Sequence, residues 1–77
     1  MKFIYTQHAL ENIQERDLSK ALIESTVAEP DKIMEGKIGR KIAQKQIGNK
    51  LLRIIFEQQN DAYIIVTAYY ASAERYM

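Results

Sequence analysis

Two apolar segments in the second half of the chain constrain the fold more than any other feature. Residues 51–56 and 63–70 are rich in β-branched and aromatic side chains, and a polar stretch at 58–61 separates them. Neighbouring positions within each segment are apolar, whereas a half-exposed strand would alternate apolar and polar residues. This pattern is typical of strands that are covered on both faces. The sequence therefore predicts a β-hairpin of two central strands.

Arg53 is the one charged residue inside these two segments. Because side chains alternate along a strand, Arg53 shares a face with Leu51 and Ile55. A charge in such a place requires a partner. Arg53 therefore either pairs with a glutamate or takes part in a functional site. The glutamates that could pair with Arg53 are Glu11, Glu15 and Glu57.

Two short helices are predicted ahead of the hairpin. Thr6 and Ser19 are of the residue types that accept hydrogen bonds from the free amides of a first helical turn. We therefore expect helices over 7–16 and from residue 20 to about residue 28. Pro30 disfavours helical geometry at the residue before it and so ends the second helix. The short connection predicts a helical hairpin that covers one face of a sheet.

Three further extended segments complete the predicted fold. Residues 2–5 form a short first strand, 31–35 are extended, and 40–47 form a strand. A two-residue turn at 48–49 ties that strand to 50–57, since Gly and Asn tolerate the positive φ of such turns. The predicted fold class is α+β: a short N-terminal strand and a helical hairpin packed on a three- to four-stranded antiparallel sheet.

Size and composition exclude several classes of protein. The 77 residues make one small domain, 1–77. The chain lacks cysteine, which excludes disulfides and thiolate metal sites, and its one histidine and scattered carboxylates form no recognisable ligand cluster. No glycine-rich phosphate loop occurs, so neither a metal nor a cofactor is expected. The lack of a signal peptide and of an apolar span predicts a soluble cytoplasmic protein with no membrane partner.

Charge is distributed unevenly along the sequence. The segment 36–53 contains six basic residues and no acidic one, whereas the rest of the chain has five basic and ten acidic residues. A cationic strand region of this kind attracts phosphates or an acidic protein. The alternative is that its lysines, including Lys41 and Lys45, form a solvated face that keeps a sheet edge soluble.

The first helix carries a recognisable motif. His8-Ala9 is followed by Arg16, eight residues after the histidine, and Ser19 begins the second helix. Together with the predicted strands, this pattern resembles the DUF4258 family over most of the chain. Asn12 stands where that family has another arginine. The order of the elements is similar to that of the RelE/ParE toxin superfamily, which implies a RelE/ParE-like fold.

The resemblance to RelE-type toxins implies a ribonuclease that works without metal. In such a reaction a base removes the proton of a ribose 2′-hydroxyl, cations stabilise the charge on the phosphate, and an acid protonates the leaving oxygen. His8 would carry the proton, since histidine is the residue type that titrates near neutral pH, and Tyr69 would stack on a base or donate a proton. The implied partners are an acidic antitoxin protein and RNA or the ribosome. The implied catalytic residues are His8, Arg53, Arg16 and Tyr69, with Arg40, Lys41 and Lys45 binding RNA phosphates.

These residues also have structural interpretations. A helical histidine with Asn12 and Arg16 on the next turns more often braces a helix against a sheet than it catalyses, and tyrosines are typical of core packing. Two functions are therefore open: a metal-independent endoribonuclease of a toxin–antitoxin pair, and a non-catalytic module that binds a protein or a nucleic acid. If the last strand lies at a sheet edge, Tyr70 and Tyr76 favour a homodimer or capture of a partner strand there.

Overall fold

The computed structural model describes residues 2–72, which form two helices and five strands. Every predicted helix and strand is present, and the last two strands are longer than expected. The elements are β1 (Lys2–Tyr5), α1 (Gln7–Glu15), α2 (Lys20–Ala28), β2 (Lys32–Glu35), β3 (Lys41–Ile47), β4 (Lys50–Gln59) and β5 (Ala62–Ser72).

Both predicted helix caps are confirmed. The Thr6 hydroxyl accepts a hydrogen bond from the Ala9 amide at 3.1 Å, and the Ser19 hydroxyl accepts one from the Leu22 amide at 3.0 Å. Each bond satisfies an amide that has no partner inside its own helix. α1 ends one residue earlier than expected, because Arg16 takes the C-cap position with φ −106°.

The sheet is mixed and has five strands, in the order β1-β5-β4-β3-β2. All neighbours are antiparallel except β1 and β5, which are parallel, with Lys2 opposite Ala62. The sheet therefore has more strands than the three or four expected, and one of its pairs is parallel, whereas only antiparallel pairs were expected. A four-residue strand has no pattern that specifies a partner sixty residues away, so its pairing could not be deduced from sequence.

β4 and β5 are central strands, as predicted, and the described edges of the sheet are β1 and β2. β5 is therefore not an edge strand over 62–65, where it pairs with β1. Tyr76, which was expected to form a contact surface together with Tyr70, lies outside the described residues.

The two helices pack on one side of the sheet, here called the helix face. Buried helix residues meet buried strand residues there and form the core, in which Ile23, Ile54 and Ile65 are completely inaccessible to solvent. Burial of this kind supplies most of the stability of a small domain. The strand residues of the helix face in this core are Ala43, Leu52, Ile54, Phe56, Ile65 and Ala68.

The opposite side of the sheet is here called the second face. Strand residues directly opposite one another share a face, and this rule assigns Ile42, Gln44, Arg53, Ile55 and Tyr69 to the second face. Neither described helix packs on it. The apolar pattern of β4 and β5 predicted cover on both faces, whereas within residues 2–72 the helices cover one.

Candidate functional site

A row of three side chains crosses the centre of the second face. Gln44, Arg53 and Tyr69 lie directly opposite one another on β3, β4 and β5. The guanidinium of Arg53 donates from Nη1 to Gln44 Oε1 at 2.6 Å and from Nε to the Tyr69 hydroxyl at 2.9 Å. We call these residues the arginine row. Hydrogen bonds on two sides fix the plane of the guanidinium. Arg53 as a whole residue is only 7% exposed.

Apolar side chains flank the arginine row. Leu51 is buried on one side of it, and the half-buried pair Ile42 and Ile55 lies on the other, where β3 and β4 place them directly opposite each other. Beyond this pair, Arg40 Nε lies 3.6 Å from Glu57 Oε1. The second face therefore combines an apolar surface with a fixed cation at its centre and an ion pair towards the end of the strands.

Arg16, another of the expected catalytic residues, lies at the edge of β5 that β1 leaves unpaired. Its guanidinium donates to the Ala68 carbonyl at 3.3 Å and to the side-chain oxygen of Asn12. Asn12 is almost fully buried, and its amide donates to the Thr67 hydroxyl at 2.5 Å. These bonds satisfy backbone and side-chain groups along an otherwise open strand edge. Arg16 and Asn12 thus hold α1 against the sheet, which agrees with the structural interpretation of these two residues.

His8 lies on the exposed side of α1. Within residues 2–72 its side chain has no hydrogen bond or ion pair with another residue. The structure therefore brings Arg53 and Tyr69 together, two of the four expected catalytic residues, and gives no described contact between either of them and His8. A proton carrier must lie within hydrogen-bond reach of the reacting group, and in this set Tyr69 is the residue that lies beside the cation.

The basic segment does not form one continuous surface. Arg40 belongs to the second face, where it meets Glu57. Lys41 and Lys45 lie directly opposite Phe56 and Leu52, which places them on the helix face. The three residues expected to bind RNA phosphates are thus divided between the two sides of the sheet, because side chains alternate along β3.

Gln44 is the site residue that sequence reasoning did not single out. A signal for it existed in the predicted turn at 48–49. Counting outward from that turn places Gln44 opposite Arg53, and the strand pairing has this register. A long polar residue across from a buried arginine indicates a hydrogen-bond partner, since buried charges are generally satisfied.

A separate polar cluster lies on the helix side, around Tyr5. The Tyr5 hydroxyl donates to Glu24 Oε2 at 2.7 Å, and the ammonium of Lys20 lies 5.0 Å from the centre of the Tyr5 ring. Burial raises the pKa of the Tyr5 phenol above its usual range, and the hydrogen bond and the negative charge of Glu24 raise it further. The cluster therefore favours a neutral phenol and ties β1 to α2.

Two kinds of feature do not occur in the part of the chain that the structure describes. No group of three or more histidine, aspartate or glutamate side chains comes together in a way that could hold a metal ion. Neither helix among residues 2–72 has the length and apolar character needed to span a bilayer.

Comparison with known proteins gives a family but no characterised relative. The model of a domain of unknown function, DUF4258, matches residues 5–70, a segment that runs from the end of β1 into β5 and includes both helices. No curated protein and no solved structure matches the chain.

Proposed function

The chain belongs to the DUF4258 family, and we propose that it is a binding module whose second face receives an acidic segment of a partner protein. The observation that carries this proposal is the composition of that face. It combines half-buried aliphatic side chains with a hydrogen-bonded arginine and tyrosine, and neither described helix packs on it.

The residue types of the second face favour a protein partner over a nucleic acid. Arginine and tyrosine are enriched at the centres of protein interfaces, where apolar side chains surround them. Proteins that bind nucleic acid present exposed lysines and arginines to the phosphates. Here Arg53 is nearly buried, and Lys41 and Lys45 lie on the other side of the sheet.

Charge on the second face favours an acidic partner. The strand pairing places Lys32 beside Gln44 and hence on the same face as Arg53, and Arg40 lies at its end. Among the strand residues that the structure describes, Glu57 is the acidic one on this face, and it is paired with Arg40. Complementary charge selects partners and accelerates association. An acidic protein is also the partner that the toxin–antitoxin resemblance implies.

Site-specific photo-crosslinking in cells of the native host tests this proposal. A photoreactive amino acid is placed at Lys32 or Gln46, which are exposed on the second face, and at Gln14 or Ala21, which are exposed on the helices, as matched controls. The expected result is a discrete crosslinked product from the second-face positions that ribonuclease does not change, and none from the helix positions.

The nature of the product distinguishes the partner classes. A product that ribonuclease converts back to the size of the free protein would replace the protein partner with RNA. Equal crosslinking from helix and second-face positions would contradict the assignment of the second face as the binding surface.

One observation favours metal-independent RNA cleavage as a second candidate function. The Tyr69 hydroxyl accepts a hydrogen bond from Arg53, which leaves the phenol proton available for donation beside a cation. In this version Arg53 stabilises charge on the phosphate, Tyr69 protonates the leaving 5′-oxygen, and solvent water accepts the proton of the attacking 2′-hydroxyl, while His8 takes no part.

An RNA cleavage assay in EDTA tests the second candidate. Free RNA and translating ribosomes are incubated with the wild type and with Tyr69→Phe, Tyr70→Phe and His8→Ala. The candidate predicts products with 2′,3′-cyclic phosphate ends from the wild type, Tyr70→Phe and His8→Ala, and strongly reduced cleavage by Tyr69→Phe. Loss of cleavage in His8→Ala would assign the proton transfer to His8 instead of Tyr69. Lack of cleavage by the wild type would rule out RNA cleavage as the function.

A further inference from the structure

The loop between β2 and β3 holds an isoleucine in a conformation that isoleucine rarely adopts. The Arg40 amide donates to the Lys37 carbonyl at 3.1 Å and closes a four-residue turn. Both central residues have positive φ, +58° at Ile38 and +72° at Gly39. Glycine, asparagine and aspartate usually occupy such positions, because a branched Cβ is crowded there. The backbone at Ile38 is therefore strained.

The side chain of Ile38 does not stabilise the described fold. It is 89% exposed, the highest value among the exposed large apolar residues. The turn itself is tight, since the Gly36 amide donates to the Arg40 carbonyl at 2.7 Å and a Cβ at Gly36 would lie 3.0 Å from that oxygen. A strained residue whose side chain is left in solvent points to a role in binding.

A depression of about 570 Å³ lies beside this turn, at the end of the second face. Ile38, Ile42 and Ile55 provide its apolar lining, and Lys37 and Arg40 also border it. We call it the loop depression. Its volume is within the range of about 300–1,000 Å³ typical of binding pockets, and its lining connects it to the aliphatic side chains that flank the arginine row.

Two of the three charged residues that line the loop depression are basic, Lys37 and Arg40, and the third is Glu35. Lys37 is exposed in the turn, and Arg40 makes one ion pair, at 3.6 Å, with Glu57. Strand pairing places Glu35 directly opposite Lys41, so its Cβ starts from the helix face of β2, whereas Lys37 lies in the turn. An apolar side chain bound here would therefore have cations beside it, and an acidic neighbour on the same ligand would be attracted.

We propose that the loop depression binds an apolar side chain of an acidic polypeptide segment, and that Lys37 and Arg40 hold a neighbouring carboxylate of that segment. The exposed Ile38 side chain covers the bound side chain from the loop side. This inference rests on the proposed function, because it assigns the anchoring point of the partner on the second face. It adds the chemistry of the anchor: aliphatic or aromatic, with aspartate or glutamate next to it.

The test uses two synthetic peptides of equal length as probes, one alternating leucine with glutamate and the other alternating leucine with lysine. Each is titrated into protein with ¹³C-labelled isoleucine methyl groups. The leucine–glutamate peptide should shift the methyl signals of Ile38, Ile42 and Ile55, and the leucine–lysine peptide should not. Ile33, on β2 but on the helix face, provides an internal reference.

The variant Ile38→Asn separates a binding role from a structural one. Asparagine tolerates positive φ, so this variant should fold at least as stably as the wild type, whereas its affinity for the leucine–glutamate peptide should fall about tenfold or more. Ile33→Asn removes an apolar side chain from the same strand region and should leave that affinity unchanged.

The outcomes distinguish this inference from the proposed function. Shifts confined to Ile4 and Ile64, also on the second face, would overturn the loop depression as the anchor and leave the second face as the binding surface. Shifts at Ile33 alone would overturn both. Unchanged affinity of Ile38→Asn would contradict the role of Ile38 even if the peptide binds.

Discussion

The two faces of the sheet are built from the same strands but differ in what their side chains contact. On the helix face, Ile23, Leu52 and Ile54 are completely buried against one another and the helices. The helix face is therefore part of a fully packed core. On the second face, Leu51, Gln44 and Arg53 are also buried. However, Ile42 and Ile55 are only half-buried there, and Ile4 at the β1 edge is 44% exposed. The second face leaves these isoleucine side chains accessible beside the hydrogen-bonded Arg53 and Tyr69, and under the proposed function a partner covers them.

Neighbouring isoleucines on β4 provide the strongest test of this difference. Ile54→Ala removes a fully buried side chain and should lower the free energy of unfolding by about 2–5 kcal/mol. Ile55→Ala acts on the second face, where less area is buried, and should cost less than about 2 kcal/mol while weakening binding of the leucine–glutamate peptide. Urea denaturation of both variants checks the first part. Equal destabilisation would mean that the two faces are packed alike.

Adjacent tyrosines on β5 offer a second matched pair. Tyr69→Phe removes the hydroxyl that accepts a hydrogen bond from Arg53, so the free energy of unfolding should fall by about 1.5 kcal/mol. Tyr70 packs beside the core on the helix face, and Tyr70→Phe should change it by less than about 0.5 kcal/mol. Chemical denaturation measures both. A larger loss of stability in Tyr70→Phe than in Tyr69→Phe would contradict a stabilising role for the hydrogen bond between Arg53 and Tyr69.

The ion pair at the end of the second face should affect binding more than folding. Glu57 and Arg40 are both partly exposed, so Glu57→Gln should change the free energy of unfolding by no more than about 0.5 kcal/mol. The same substitution makes the second face more basic, and the leucine–glutamate peptide should bind more tightly at low salt. Isothermal titration at two salt concentrations checks this, and weaker binding by Glu57→Gln would contradict an acidic partner.

The smallest effect is expected from Tyr5 and appears only at alkaline pH. Its pKa is raised in the folded protein, so the folded state holds the phenol proton more tightly than the unfolded chain does. The resulting stability is fully present below about pH 10, the usual value for tyrosine, and is lost as the pH rises further. Melting temperatures from pH 8 to 11 should therefore fall less steeply for Tyr5→Phe than for the wild type, and parallel curves would contradict the assignment.

Local features of the fold followed from the sequence, and long-range ones did not. Thr6, Ser19 and the turn at 48–49 act through neighbouring atoms, so residue type was enough to place them. The parallel pairing of β1 with β5 depends on contacts between distant segments, and no local pattern encodes it.

The candidate site shows the same limit. Arg53 stood out as a charge in an apolar strand, and its contact with Gln44 could have been deduced from the turn. The separation of His8 from Arg53 could not be deduced, because it depends on which face of the sheet α1 packs against. The segment 36–53 looked like one basic surface, yet strand alternation divides its charges between two faces.

Oxidative footprinting in cells shows directly whether a partner covers the second face. Hydroxyl radicals label exposed side chains in cells of the native host and in the purified protein, and mass spectrometry compares the extent of labelling at each residue. Met34 and Ile55 report on the second face, and Leu10 and Ile33 on the exposed surface of the helix side. Met34 and Ile55 should be protected in the cell and become labelled on purification, while Leu10 and Ile33 should be labelled equally in both. Equal labelling of Met34 and Ile55 in the two samples would contradict the binding of a partner to the second face.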